Sequence, residues 1–282
     1  MTNQARFFGL LALMGAFLLP HSASAQDEGW SWDNSTEVGF VTTSGNASQT
    51  TLSLKSSLTG ESGPNSFRIG VGGLRASSEL VTRTAQGTPG DFTVVKNTTT
   101  VESAANYYAR GRYDRDLGAA FLFSGAGWER NTFAGFLHRY SVVAGVGRTW
   151  VNTDNGRFKT DIGGTFTVQE DVQAPGERDG FGGIRTTIEG ARTLSESAEF
   201  ETEFVLDENL NNTSDVRFDW LSSISVDLTE GLALKTSYQL IFDNEPALIR
   251  VPLFNGGTQT GTVAVESSQF DSFLTLSLVI KL

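Results

Sequence analysis

The chain has 282 residues, no cysteine, and 32 Asp plus Glu against 21 Lys plus Arg, a formal charge of −11. Zero cysteine excludes a disulfide framework and a thiolate metal site, and the acidity argues against nucleic acid, whose phosphates select basic surfaces. Gly is abundant, Pro scarce, and Thr, Ser, Val and Phe recur, the composition of a sheet protein with many turns.

Residues 1–25 read as a processing segment. Arg6 supplies a positive start, FFGLLALMGAFLLP an apolar run, and Ala23-Ser24-Ala25 a small-residue cleavage pattern. A cleaved secretory signal peptide is expected, with 26–282 as one mature domain. With Arg6 gone, 20 basic residues face 32 acidic ones, a formal −12. No later apolar run approaches the ~20 residues of a membrane helix.

From there the chain alternates with period two, the signature of strands with one apolar and one polar face. Val38 and Phe40 oppose Glu37 in the first segment, 32–43. Leu52, Leu54 and Leu58 oppose Ser53, Lys55 and Ser57 in the second. Ile69 and Val71 oppose Arg68; Val101, Ala105 and Tyr107 oppose Glu102, Asn106 and Arg110. The fifth segment, 118–128, is less clean, with Phe121 and Phe123 on one face and Leu122 and Trp128 on the other. Seven further segments follow, ending with Leu274, Leu276, Leu278 and Ile280 against Asp271, Thr275, Ser277 and Lys281. Connections alternate short (NTDNG, SESA, TEG) and long, and those at 78–98 and 243–268 carry enough β-formers to extend as ribbons. Asn255-Gly256-Gly257 is the strongest hairpin signal in the chain.

Twelve strands with alternating connection lengths predict an all-β antiparallel transmembrane barrel, with short periplasmic turns and longer extracellular loops. Its polar face carries nine basic and eleven acidic side chains, Lys55, Arg68, Glu102 and Arg110 among them. The apolar face has only Arg148 and Arg192, both at periplasmic strand ends, where Arg reaches the headgroups. Charge at the lipid midplane costs about 2–4 kcal/mol. The apolar face therefore points to lipid and the polar face to the lumen.

The stretches EVGFVTTSGNASQTTLSLKSSL and NYYARGRYDRDLGAAFLFSGAGWERNTFAGFLHRYSVVAGVGRTW resemble, in order and spacing, an exported family of unknown function. Its members are called salt-induced outer membrane proteins. The resemblance runs from about Trp32 to the end, and TSGN at 43–46 is its most specific piece. It implies an outer-membrane barrel and supplies no catalytic residues. Such barrels usually end in Phe for the assembly machinery that takes the C-terminal strand; this chain ends in Leu282.

Catalytic signals are weak. The mature chain keeps one histidine, His138, and the nearby Ser141 has the opposite parity. Glu199, Glu201 and Glu203 share one face and resemble a glycosidase pair, but a charge ladder fits them better. GVGG at 70–73 and GVGR at 145–148 lie inside strands, where inward Gly makes room for large lumen side chains or eases strand curvature. The acidic DVQAPGERD segment lacks calcium-loop spacing. No enzyme activity, cofactor or metal is expected.

The candidate site is therefore the lumen charge network: Lys159, Asp161, Arg185, Glu189, Glu199, Glu201, Glu203, Arg217, Asp219, Asp227 and Lys235. Near balance of sign predicts pairing: Arg185 with a carboxylate on the seventh or ninth strand, and Arg217 or Lys235 with the Glu199–Glu203 ladder. A narrow channel for ions or small polar solutes is the expected role. A plugged interaction barrel, meeting lipopolysaccharide or external partners through its loops, is the alternative, and an outer-membrane hydrolase the distant third.

Overall fold

In the computed structural model, residues 29–43, 48–88, 91–132, 134–246, 248–255, 258–266 and 268–281 are described. The expected signal segment, Ser44 to Asn46 of TSGN, Gly256, Gly257 and Leu282 lie outside them.

The strands are β1 (Ser31–Thr43), β2 (Ser48–Ser62), β3 (Asn65–Thr88), β4 (Asp91–Leu117), β5 (Ala120–Asn131), β6 (Phe136–Thr153), β7 (Gly156–Asp171), β8 (Asp179–Ser195), β9 (Ala198–Asn209), β10 (Val216–Thr229), β11 (Leu232–Asp243), β12 (Leu248–Asn255), β13 (Thr258–Glu266) and β14 (Phe270–Lys281). Twelve close into an antiparallel barrel in the order β1-β14-β11-β10-β9-β8-β7-β6-β5-β4-β3-β2; β12 and β13 form a separate two-stranded sheet. Closure pairs every strand on both sides, which lipid demands because it offers no hydrogen bonds to a free edge. The closing seam is short, from Ser35↔Lys281 to Gly39↔Ser277.

Five connections, 63–64, 118–119, 154–155, 196–197 and 230–231, are two-residue turns at one end of the barrel. Tight hairpins favour positive φ, and Gly63 (φ 55°) and Gly118 (φ 90°) provide it. The opposite end carries the longer connections. There β3 and β4 stay paired from Asn65↔Arg115 to Thr88↔Asp91, well beyond the neighbouring strands. Between β11 and β14 stands the β12–β13 hairpin. Both long connections are thus β-ribbons, as their β-rich sequence predicts.

The apolar face is outside. Leu274 is 75% exposed, and Leu276 and Leu278 are exposed with it, whereas Ser277 is buried. The same holds for Val142 and Val146 on β6 and for Ile162 and Phe166 on β7. A row of neighbouring rings, Phe204–Phe218–Phe242–Phe270, crosses the loop end of β9, β10, β11 and β14 at centroid spacings of 5.5, 5.1 and 4.8 Å, the middle pair stacked and the outer two tilted. Aromatic residues at this level form the interfacial girdle of a membrane barrel.

Two side-chain orientations depart from the sequence pattern. On β5 the apolar pair Phe121 and Phe123 points inward, 1% and 4% exposed, while Leu122 faces out. On β4 a bulge opposite Ala76 and Ser77 shifts the register, and a one-residue slip reverses which face each later side chain takes. Glu102 thereby moves from the lumen to the outer side, where it meets Arg75 at 2.6 Å.

Candidate functional site: the barrel lumen

Small polar side chains line the interior wall. Ser53, Asp161, Thr187, Ser223, Ser237 and Ser277, from six different strands, are each only 3–5% exposed. A water-filled channel would leave its wall wet, so longer side chains must cover them.

Ion pairs supply that cover. Arg110 on β4 reaches Glu203 on β9, and Arg68 on β3 reaches Glu189 on β8, each at 3.8 Å. Both pairs join strands five steps apart around the ring of twelve, nearly a diameter. Lys235 binds Glu37 at 2.9 Å and Glu201 at 3.3 Å, bridging β11 to β1 and β9. Arg185 grips Asp207 with two bonds of 2.8 and 2.9 Å, the bidentate geometry that guanidinium favours. Asp219 accepts both of its hydrogen bonds from Gln239 Nε2. Toward the turn end, Lys281 meets Asp227 at 2.6 Å.

A second element is aromatic. Arg112 donates to Asp114 at 2.8 Å and to Asp161 at 2.7 Å. Its guanidinium stacks 4.2 Å from the Phe123 centroid, and Lys159 Nζ lies 5.3 Å from that of Phe121. The two rings sit on a glycine floor. A Cβ added at Gly147 would lie 2.6 and 2.7 Å from Phe121 ring carbons, and one at Gly163 would lie 2.9 Å from Phe123. Gly72 gives Tyr108 similar room. Inward glycines therefore accept large lumen side chains, as their position in the strands predicts.

At the loop end, Arg217 lies 2.9 Å from Asp215 and 3.3 Å from Asp243. Gln169 Oε1 accepts from Arg139 Nε at 2.8 Å and from Arg217 Nη1 at 3.5 Å. Two guanidiniums thus share one amide oxygen across the mouth.

Among the sequence-predicted residues, Arg185 pairs with the ninth strand and Lys235 with the Glu199–Glu203 ladder, both as expected. Arg217 does not reach the ladder. It shares the ladder's face, but it stands at the loop end of β10, beside Asp207 and Asp243 in register, while Glu201 pairs with Ser223 six residues further down. Glu199 makes no ion pair within 4 Å among the described residues. Arg112 and Asp114 join the network without having been among the candidate residues, because β4 runs on to Leu117. The parity shared by Arg110, Arg112 and Asp114 is the signal that marks them as strand. His138 faces outward, accepting from Trp128 Nε1 at 3.1 Å and stacking on Tyr140; it belongs to the girdle and reaches no lumen carboxylate.

The model of the DUF481 family, described as proteins of unknown function, matches residues 36–248. The chain belongs to that family. The description carries no condition of induction, so salt induction stays an implication of the resemblance. Among curated proteins, none matches this DUF481 chain. Several solved structures are similar in fold. The NanC porin is 11% identical, with 89% of this chain and 100% of that one covered, at a TM-score of 0.45. The translocator domain of the autotransporter NalP from Neisseria meningitidis is 12% identical over 99% and 95%, at 0.42. An anion-selective porin from Comamonas acidovorans is 9% identical over 90% and 100%, at 0.39.

Proposed function

We propose that this DUF481 protein is an exported outer-membrane barrel, residues 26–282 after removal of the signal peptide, that serves as a narrow conduit for ions or small polar solutes. The two-residue turns then face the periplasm and the ribbons the exterior. The observation that carries this reading is a lumen crossed by paired charges, some buried and some exposed. Near-diametric Arg–Glu pairs and the Arg112–Phe123 stack cover a polar wall that is only 3–5% exposed. Charged side chains held by mutual pairing leave small polar gaps rather than an open bore. Lumen charge also sets ion preference, and the acidic excess at Asp215, Asp243 and Asp171 favours cations at the mouth.

Purified protein in a planar bilayer tests this: small conductance events with weak cation preference are expected. A large ohmic conductance would mean an open porin. A second reading is a plugged barrel whose outer ribbons bind lipopolysaccharide or an external partner, inserted by the assembly machinery through its C-terminal strand. The length of the β3–β4 and β12–β13 ribbons favours it, and complete silence in the bilayer would select it.

A further inference from the structure

The outer face of β6, β7 and β8 is not a uniform apolar wall. Ala144 and Gly164 form the floor of a shallow, open groove, with Val146, Ile162 and Ile184 along its sides. Its long walls are exposed aliphatic side chains. A Cβ added at Gly164 would meet nothing within 4 Å, so the groove is open space on the lipid side.

Cationic groups lie toward the turn end of two of these strands, β6 and β8. Arg148 follows Val146 by two residues on β6, on the same face. Its guanidinium stacks 4.5 Å from the Trp150 centroid, and Trp150 Nε1 donates to Thr160 Oγ1 at 2.9 Å, which fixes the ring. Arg192 shares the outer face of β8 at its turn end and is exposed. Neither Arg148 nor Arg192 has a carboxylate within 4 Å among the described residues. Arg next to lipid without an acidic partner is normally satisfied by headgroup phosphates. Trp150 adds an interfacial anchor at the same level.

We infer that this face holds one anionic glycerophospholipid of the periplasmic leaflet, with an acyl chain in the Ala144–Gly164 groove and its phosphate at Arg148. The groove selects a chain by shape and the Arg148 guanidinium selects a headgroup by charge. The two together distinguish a held lipid from the surrounding bilayer. The chain lies between the flanking aliphatic walls, and the phosphate completes the hydrogen bonding of an Arg148 that Trp150 already orients.

The test is native mass spectrometry of the full-length protein in detergent, titrated with phosphatidylglycerol or with phosphatidylcholine of the same acyl chains. Wild type should retain one phosphatidylglycerol at least fivefold more tightly than phosphatidylcholine. Arg148→Gln should remove that preference, leaving chain binding. Gly164→Leu should lower the retention of both lipids at least fivefold by filling the groove. Heat-modifiable mobility on gels confirms that each variant still closes its barrel, and Gly164→Ala provides a milder filling if Gly164→Leu does not fold. Equal retention of the two lipids by wild type, or unchanged retention in the groove-filled barrel, would overturn the inference in favour of ordinary annular lipid.

Discussion

The contact between Phe121 and Gly147 allows the filled lumen to be tested through stability alone. Phe121 is 1% exposed, and a methyl group on Gly147 would fall 2.6 and 2.7 Å from its Cε2 and Cε1, with Cζ nearer still. The ring cannot simply swing away. Phe123 lies 6.4 Å off by centroid, Lys159 Nζ 5.3 Å and the Arg112 guanidinium 5.9 Å. Gly147→Ala should therefore behave as overpacking and cost about 1–3 kcal/mol. Phe121→Ala should cost about 3–5 kcal/mol as a large-to-small core change. In the double variant the new methyl enters space the ring has left, so the two costs should fall short of additivity by about 1–2 kcal/mol, within the range measured for contacting pairs. Denaturant unfolding of the barrel refolded in detergent, followed by tryptophan fluorescence, gives the four free energies. Gly164→Ala, on the opposite face with nothing within 4 Å, is the control and should stay within about 0.5 kcal/mol of wild type. Additive costs, or a neutral Gly147→Ala, would mean that the ring does not rest on that glycine and that the lumen is looser than described.

Arg217→Ala leaves Asp215 and Asp243 without their shared cation. Bilayer recordings should then show a wider mouth and a stronger cation preference, and unchanged reversal potentials would count against the mouth as a filter. Lys235→Met removes the cation that binds Glu37 at 2.9 Å and leaves it Lys55, opposite in register on β2. Stranding one partner of a fully buried pair costs about 3–5 kcal/mol, and less is expected here because Glu201 stays 46% exposed; a drop in unfolding midpoint should be measurable, and none would show that water already serves Glu37. Amide exchange should be slow across Leu248–Leu253 and Gly261–Glu266, which pair in register, and uniformly fast exchange there would dissolve the ribbon.

The strand count, connection lengths and lipid face were legible because the pleat alternates strictly and lipid tolerates little charge outside. Phe121 and Phe123 escaped this logic. A residue's hydrophobicity specifies burial, and in a filled barrel the lumen buries as well as lipid does, so inward rings at Gly147 and Gly163 look like outward ones until the facing glycines are considered. Glu102 was misplaced for another reason. One extra residue in β4 reverses parity, and no residue type announces it. Pairing was half legible: parity gave Arg185 and Lys235 their partners, but parity carries no height, and height separates Arg217 from the Glu201 level.

The chords across the lumen are not equal in strength, and that difference makes the conduit sensitive to ionic strength. Arg112 holds Asp161 at 2.7 Å with both side chains mostly buried, 20% and 3% exposed. Arg110 and Glu203 stand 3.8 Å apart at 60% and 31% exposure, and Arg68 and Glu189 are equally long at 40% and 14%. Exposed pairs at such separations contribute about 0–1 kcal/mol and are screened by salt. The screening length shrinks from ~10 Å at 0.1 M to ~3 Å at 1 M. Raising salt should release the two long chords first while the Arg112–Asp161–Phe123 assembly stays shut. Conductance should therefore rise more steeply than bulk conductivity between 0.1 and 1 M KCl. It should track bulk conductivity in a variant carrying both Arg68→Gln and Arg110→Gln, whose chords are already gone. A wild-type conductance strictly proportional to bulk conductivity over that range would show that these two pairs do not stand in the path.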